Sequence, residues 1–228
     1  MFESNPIYYR VLGIGESTTD TITKINALGK PGVSAKVLAD GEMPTPTKDD
    51  QLAIVIVDGE AEKAKAVVNV FSEVDTLTAV ITTGNEIYNG SSTAHVERQE
   101  MFSTAKAILD ILFNQQVISL DFTDFFRTLD GTSCFRVIEE TGHTKGARVK
   151  DAIDKIAARF RATKDKNLIF TIYCNENAKS GLKMDEMAAL TEFISKLPSD
   201  IDVIWGFGYD PSIKDDSVRV ILLAAGDE

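Results

Sequence analysis

Two acidic residues three positions apart are the residues of this sequence whose types and spacing most clearly suggest chemistry. Residues 117–126 read V-I-S-L-D-F-T-D-F-F and carry Asp121 and Asp124. Residues three apart share one face of a helix, so the two carboxylates would project together at a helix start. Such a pair can act as a general base or position a cation. The same spacing also fits one acid that caps the helix and a second, solvated acid.

A second candidate site lies near the N-terminus, where Gly13-Ile14-Gly15 follows a strand-like run and precedes a helical pattern. Backbone N–H groups of such a turn, together with the helix N-terminus, can bind a phosphate. Two glycines in a turn between a strand and a helix are common, so Gly13 and Gly15 alone are a weak signal. A second turn of this kind, Asp58-Gly59, follows the apolar run Leu52–Val57. The candidate phosphate-binding residues of the two turns are Gly13, Gly15, Ser17, Thr18, Asp58 and Gly59.

The elements that must position these residues form two patterns. In the first half, strands alternate with helices, which predicts a parallel sheet covered on both faces. The helix at 60–71 would turn Ala64, Val67, Val68 and Phe71 inward. Residues 84–93 read as a loop, and residues 96–114 as one long helix that links the halves. The second half has a β-α-β-α-β-β order, which suits a mixed sheet with helices against one face.

Charge and apolar patterning exclude several classes of protein. The 228 residues carry a formal net charge of −11, and their basic residues are dispersed, which argues against a nucleic-acid partner. The sequence has no apolar run of membrane-spanning length. Residues 1–6 lack a charged-then-apolar signal pattern. We therefore expect a cytoplasmic protein without membrane insertion.

Histidine and cysteine give little support for a catalytic or metal site. Cys134 and Cys174 lie in strand-like runs without metal-ligand spacing, and we expect buried thiols and no metal site. His95 and His143 stand among Ser, Thr and Gly residues, which indicates surface loops. The sequence also has no G-x-S-x-G motif and no Cys–His signature, so an unrelated small α/β enzyme with a Ser or Asp nucleophile is the weakest alternative.

Four segments of the second half carry recognisable motifs. They are S-L-D-F-T-D at 119–124, the stretch 133–153 that begins S-C-F-R-V-I-E-E-T-G, N-L-I-F-T-I-Y-C-N-E-N at 167–177 and I-D-V-I-W-G-F at 201–207. In this serial order the segments resemble the C-terminal half of the bacterial cell-division GTPase FtsZ. The run V-R-V-I-L-L-A-A-G at 218–226 is similar to the family's last strand. The resemblance covers about half of the chain.

The resemblance implies an α/β fold of the FtsZ/tubulin-like type. Residues 1–95 would form an abbreviated, Rossmann-like parallel-sheet domain of the nucleotide-binding type. Residues 96–116 would form the linking helix, and residues 117–228 a mixed-sheet α+β domain that carries the acidic loop. The family would bind GTP in the first of these domains, with magnesium expected only if nucleotide binds.

The two nucleotide-binding turns depart from the family pattern. In FtsZ the first turn has the form G-x-G-G-x-G, whereas here Glu16 and Thr18 replace glycines. The second turn, G-G-G-T-G-T/S-G in the family, is replaced by D-G-E-A-E at 58–62. Lys63 and Lys65 could offset the added negative charge, but we expect them to face solvent. These departures predict weak or lost GTP binding, and the alternative is a divergent GTPase that still binds GTP and polymerises.

The acidic pair is better preserved than the nucleotide-binding turns. In FtsZ the loop matching residues 119–124 has the form N-x-D-x-x-D and enters the nucleotide pocket of the neighbouring subunit. Here Ser119 replaces the Asn, while Asp121 and Asp124 match the two acids. The resemblance therefore implies catalytic roles in trans for Asp121 and Asp124, and head-to-tail contact with a second copy or with a true FtsZ.

Glycines alternate with aromatic residues in the strand-like run near residue 205. Trp205, Phe207 and Tyr209 would share one face, while Gly206 and Gly208 face the other. A glycine in a strand permits another segment to approach closely, and we expect that segment to be a helix.

Overall fold

A computed structural model describes residues 8–162, 164–177, 181–213 and 215–227. Residues 1–6, for which the sequence analysis predicted no signal pattern, lie outside the described residues. The chain divides into two compact units, Met1–Leu109 with Leu129–Phe135, and Asp110–Thr128 with Arg136–Glu228. No helix within the described ranges is both long enough and apolar enough to cross a bilayer.

The first unit is built on parallel strands in the order β2-β1-β3-β4-β5. Its strands are β1 (Tyr9–Ile14), β2 (Val33–Val37), β3 (Leu52–Val57), β4 (Leu77–Thr82) and β5 (Ser92–His95). Its helices are α1 (Thr19–Ala27), α2 (Ala61–Ser72) and the larger part of α3 (Met101–Phe113), with short 3-10 helices at Glu16–Thr18 and Arg98–Glu100.

The two central strands of this unit, β3 and β4, consist of runs of mostly apolar residues, which explains their complete burial. Every residue of β3 and β4 is buried, as expected for strands covered on both faces. Helix α2 buries the four residues that its spacing predicted, namely Ala64, Val67, Val68 and Phe71. The predicted inward face of the helix is therefore confirmed.

Two predicted boundaries were wrong. Residues 92–95 form strand β5 rather than part of a loop, and β5 pairs in parallel with β4. The segment 96–114 is not one continuous helix, because a 3-10 turn precedes α3. Glu97 and Glu100 form a reciprocal capping box at that turn, which satisfies backbone N–H groups where the chain enters the helix.

The second unit has a mixed sheet in the order β10-β8-β9-β6, with β7 beside β10. Strand β8 pairs antiparallel with β10 and parallel with β9, and β6 pairs antiparallel with β9. The strands are β6 (Gln116–Ile118), β7 (Cys134–Gly142), β8 (Asp165–Cys174), β9 (Asp202–Tyr209) and β10 (Val218–Gly226). The helices are α4 (Phe122–Leu129), α5 (Arg148–Arg159) and α6 (Ala188–Ile194).

The core of the second unit joins α5 and α6 to strands β8 and β10. The sequence predicts a helix over 146–160 with one apolar face. Helix α5 and the residue after it bury the four residues of that face, Val149, Ile153, Ile156 and Phe160. Cys174 is buried, whereas Cys134 is half-buried, and both lie in strands.

A buried ion cluster fixes the C-terminal part of α3 within the second unit. The guanidinium of Arg219 on β10 lies 2.8 Å from Asp110 of α3 and 2.7 Å from Asp210. It also lies 5.1 Å from the ring centre of Tyr173, whose hydroxyl donates to the Asp110 carbonyl oxygen at 2.9 Å. The three charged side chains are between 4% and 8% exposed. This arrangement compensates two buried carboxylates with one cation.

Candidate functional site

The strands of the first unit end at one edge, where the two predicted phosphate-binding turns meet. Parallel strands present their carboxyl ends together, and ligands of open α/β sheets bind in the crevice outside those ends. The turn after β1 and the turn after β3 are joined by a hydrogen bond from Asp58 N–H to the Ile14 carbonyl oxygen at 3.0 Å. We call this region the strand edge.

Asp58 is the centre of the strand edge. Its carboxylate accepts hydrogen bonds from the hydroxyl groups of Ser17 and Thr83, the latter at 2.7 Å. The Nε of Arg98 lies 2.6 Å from the same carboxylate, which is only 8% exposed. Partial desolvation acts to raise the pKa of Asp58, but the hydrogen bonds and the charge of Arg98 outweigh it and lower the pKa. Asp58 therefore remains a carboxylate at neutral pH.

The turn after β1 is shaped by close packing rather than left open. Gly15 has φ +97°, and a Cβ atom there would overlap the carbonyl oxygen of Asp58. Thr18 is fully buried, and its hydroxyl donates to the Gly15 carbonyl oxygen at 2.7 Å. A Cβ atom on Gly13 would overlap the Thr18 side chain. The glycines of this turn are thus explained by contacts within the unit.

The turn after β3 has two successive residues with positive φ, and the second of them is an acid, Glu60. Gly59 has φ +81°, and Glu60, which precedes α2, has φ +50° in the left-handed region. Non-glycine residues rarely adopt this conformation. The prediction that Lys63 faces solvent was wrong. The Nζ of Lys63 donates to the carbonyl oxygens of Leu38 and Ala39 at 3.1 and 3.0 Å. Lys65 is half-exposed and pairs with Glu62 at 2.7 Å.

Five of the six candidate phosphate-binding residues, Gly15, Ser17, Thr18, Asp58 and Gly59, lie in the two turns of the strand edge, and Gly13 lies within β1. That these residues bind a phosphate stays a prediction. Sequence reasoning missed Thr83 and Arg98, which complete the contacts of Asp58. Thr83 directly follows the buried strand β4, and the rule that parallel strands end together could have found it. Arg98 lies in a 3-10 turn 40 residues after Asp58 and gave no signal in the sequence.

The acidic pair lies at the start of α4 in the second unit. The Asp124 N–H donates to Asp121 Oδ1 at 2.9 Å, and the Asp121 N–H donates to Asp124 Oδ2 at 3.2 Å. This reciprocal arrangement is a capping box in which both acids accept a backbone N–H. The alternative interpretation of the spacing, one capping acid and one solvated acid, therefore holds only for the capping. Each carboxylate uses one oxygen for the cap, and Asp121 is exposed to solvent. The capping geometry thus leaves room for a further contact.

The segment before the acidic pair is held tightly on strand β9. Gln116 bridges it, because its Nε2 donates to the Ile111 carbonyl oxygen at 2.7 Å and its Oε1 accepts from the Leu120 N–H. A Cβ atom on Gly206 would lie 2.9 Å from Leu120 Cγ, and one on Gly208 would overlap the Gln115 carbonyl oxygen. The glycines do permit a close approach, but by residues 115–120, which include β6, rather than by the predicted helix.

Replacing Gly208 with alanine is expected to displace the acidic segment. The added methyl would meet backbone rather than a flexible side chain, so we expect a loss of roughly 1–3 kcal/mol in the free energy of unfolding. Urea unfolding measures this loss. Gly181→Ala is the matched control, because a Cβ atom at Gly181 meets nothing within 4 Å. Equal stability of the two variants would contradict the packing argument.

The two histidines differ from their predicted setting in one respect. His95 is the last residue of β5 rather than a loop residue, although it is exposed, and its Nδ1 lies 2.7 Å from the Gly84 carbonyl oxygen. His143 is exposed and lies 3.9 Å from Asp215.

Comparison with known proteins agrees with the resemblance seen in the sequence. The chain is 28% identical to the cell division protein FtsZ of Porphyromonas gingivalis over 135 residues. That region covers 56% of this chain and 28% of the curated protein, so the match spans less than a third of that relative. No protein-family model matches the chain.

Solved structures extend the likeness to nearly the whole chain. An FtsZ mutant from M. jannaschii superposes with a TM-score of 0.75 at 12% identity, covering 97% of this chain and 91% of that one. TubZ from Bacillus thuringiensis serovar israelensis, solved as GDP-form protofilaments, gives a TM-score of 0.64 at 9% identity and covers 97% and 84%. At these identities the superpositions establish the fold.

Proposed function

We propose that this chain, which is an FtsZ/tubulin-like protein, is an assembly or regulatory protein of the cell-division type with weak or lost GTP binding. The observation that carries the proposal is the set of contacts of the Asp58 carboxylate at the strand edge. This carboxylate accepts hydrogen bonds from the hydroxyl groups of Ser17 and Thr83 and pairs with the guanidinium of Arg98. The first unit would then retain the frame of a nucleotide-binding domain, and the second would provide the contact surface.

Electrostatics at the strand edge support the loss of nucleotide. A phosphate needs free N–H or O–H donors and positive charge. The hydroxyl groups of Ser17 and Thr83 already donate to Asp58, and the same carboxylate offsets the positive charge of Arg98. Glu16 and Glu60 add exposed carboxylates in the same two turns. A triphosphate would therefore meet like charge and would have to displace Asp58 from its partners. The residues present do not fit a triphosphate, and magnesium is expected only if nucleotide binds.

The acidic pair supports a contact with another subunit. Asp121 and Asp124 are fixed by their mutual cap, and Gln116, Gly206 and Gly208 hold the preceding segment in place. A preorganised pair of carboxylates suits a partner that supplies a cation or a positively charged surface. The role in trans that the FtsZ resemblance implies would need no change in this cap.

Charge favours a true FtsZ over a second copy as the partner of the acidic pair. A second copy would offer the strand edge, where Asp58, Glu16 and Glu60 carry negative charge. Like charges across an interface oppose association. A subunit that offers only one competent face ends a head-to-tail filament instead of extending it. The chain would thus cap or modulate an FtsZ filament.

Co-sedimentation with polymerising FtsZ tests the proposed function. At equimolar protein we expect a lower mass of pelleted polymer and a lower rate of GTP turnover by FtsZ, because capped ends no longer accept subunits. The chain incubated alone with GTP is the control and should not pellet. Unchanged polymer mass and unchanged turnover would contradict the proposed role.

A divergent working GTPase is the second candidate function. The order strand, turn, helix is intact at both β1–α1 and β3–α2, which is the frame that binds nucleotides in this class of fold. In that case GTP would have to draw Ser17 and Arg98 away from Asp58. Pelleting of the chain alone in the presence of GTP would favour this candidate over the first.

A further inference from the structure

A groove between α5 and α6 forms a second concave feature, within the second unit and away from the acidic pair in sequence. Its volume is about 450 Å³, which falls within the roughly 300–1,000 Å³ of small-molecule sites. One wall is formed by α5 and the two residues after Phe160, and the other by α6 and the turn that follows it. None of its lining residues takes part in the contacts proposed above.

The floor of the groove is apolar and partly aromatic. Ile153 and Phe160 are nearly fully buried beneath it, while Phe193 and Leu197 are only half-buried. Phe193 is anchored by Phe160, at a ring separation of 6.2 Å, and by Phe170, at 5.6 Å. A half-exposed aromatic ring with fixed neighbours offers apolar contact area at little cost in conformational entropy.

The rim of the groove carries excess positive charge in a chain whose net charge is −11. Lys150 pairs with Asp154 at 2.6 Å, and Lys196 pairs with Glu192 at 2.7 Å, so these four charges offset one another. Arg161 is the remaining charged residue of the lining.

Arg161 is positioned by backbone groups. Within the described parts of the chain it forms no salt bridge, and its Nη1 donates instead to the carbonyl oxygens of Ala157 and Phe160, at 2.7 and 2.8 Å. These bonds fix the guanidinium at the end of α5. Its other N–H groups can bind a carboxylate or a similar anion, since guanidinium presents five donors.

We propose that this groove binds a small amphiphile with one negative charge, its apolar part against Phe193 and Leu197 and its anionic group on Arg161. A free medium-chain carboxylate has this chemistry. A neutral molecule of the same length gains the apolar contact only, because burial of hydrocarbon does not depend on the head group. We therefore expect the groove to bind the carboxylate more tightly than a neutral molecule of the same length.

Isothermal titration calorimetry of the full chain with decanoate, below its micelle concentration, tests the proposal. We expect one saturable site, and binding about tenfold weaker in Arg161→Gln, equivalent to about 1.4 kcal/mol. Decanol should bind more weakly than decanoate to the wild type and equally to both proteins. Arg159→Gln is the matched control, because Arg159 ends α5 two positions before Arg161, lies outside the groove and pairs with Glu140.

A variant that fills the groove but keeps Arg161 tests whether decanoate binds in the groove itself. Ala189→Phe should abolish decanoate binding, while its far-ultraviolet circular dichroism and melting temperature show a folded protein. No saturable heat with the wild type, or equal affinity in Arg161→Gln, would overturn the proposal. Binding to anionic phospholipid vesicles without binding to free decanoate would also overturn it.

Discussion

Replacing Asp121 and Asp124 together with asparagine is expected to abolish the effect on FtsZ polymer that we propose for the chain. Asparagine is as good an N-cap as aspartate, and its side-chain oxygen can accept the same backbone hydrogen bond. The double variant therefore keeps the start of α4 while it removes both negative charges. Polymer mass and GTP turnover of FtsZ should return to their values without the chain, whereas the free energy of unfolding should change by less than about 1 kcal/mol.

A charge-matched control makes this result specific. Asp20→Asn with Glu62→Gln removes two exposed acids from the first turns of α1 and α2, so the net charge changes equally. This control should act on FtsZ as the wild type does. If the Asp121→Asn and Asp124→Asn variant still lowered polymer mass, the acidic pair would serve only to cap α4.

Arg219→Leu is expected to cause the largest loss of stability. The substitution keeps an apolar side chain on β10 but leaves Asp110 and Asp210 as buried carboxylates without the guanidinium that faces both of them. Removing one partner of a buried ion cluster costs about 3–5 kcal/mol. Urea unfolding followed by circular dichroism measures this loss, and a shorter α3 would accompany it.

Two further variants separate the ion cluster from general packing. Arg159→Leu removes an exposed arginine that pairs with Glu140 at 2.7 Å, and surface pairs are worth at most about 1 kcal/mol. Adding Asp110→Asn to Arg219→Leu should restore part of the lost stability, because one buried charge is removed. A loss below about 1 kcal/mol for Arg219→Leu would contradict this account of the cluster.

Continuous apolar runs and clear helical spacing made much of the fold predictable. Strand β3 was predicted with its observed bounds, because six apolar residues in a row allow few other placements. Strand β5 was missed because S-T-A-H is short and mostly polar, and its neighbours in the sheet supply its burial. The sequence before Pro198 predicts a helix over 183–197. Helix α6 spans only seven residues of that segment, since turns occupy much of the rest.

The candidate sites were predictable only where their contacts are local. The spacing of Asp121 and Asp124 gave the cap, because its donors and acceptors lie within three residues. The contacts of Asp58 join residues 41, 25 and 40 positions away, and pairings of that length depend on strand order. The sequence therefore revealed an acid in the second turn but not the partners that hold it.

Thermal-shift titration with GTP, GDP and ATP, with and without magnesium, tests the central claim that Asp58 and its partners have replaced nucleotide at the strand edge. A ligand at 100 times its dissociation constant stabilises a native protein by about 2.7 kcal/mol, which such a titration detects readily. The account predicts no change in melting temperature up to millimolar nucleotide. A saturable rise specific to guanine nucleotides would contradict it.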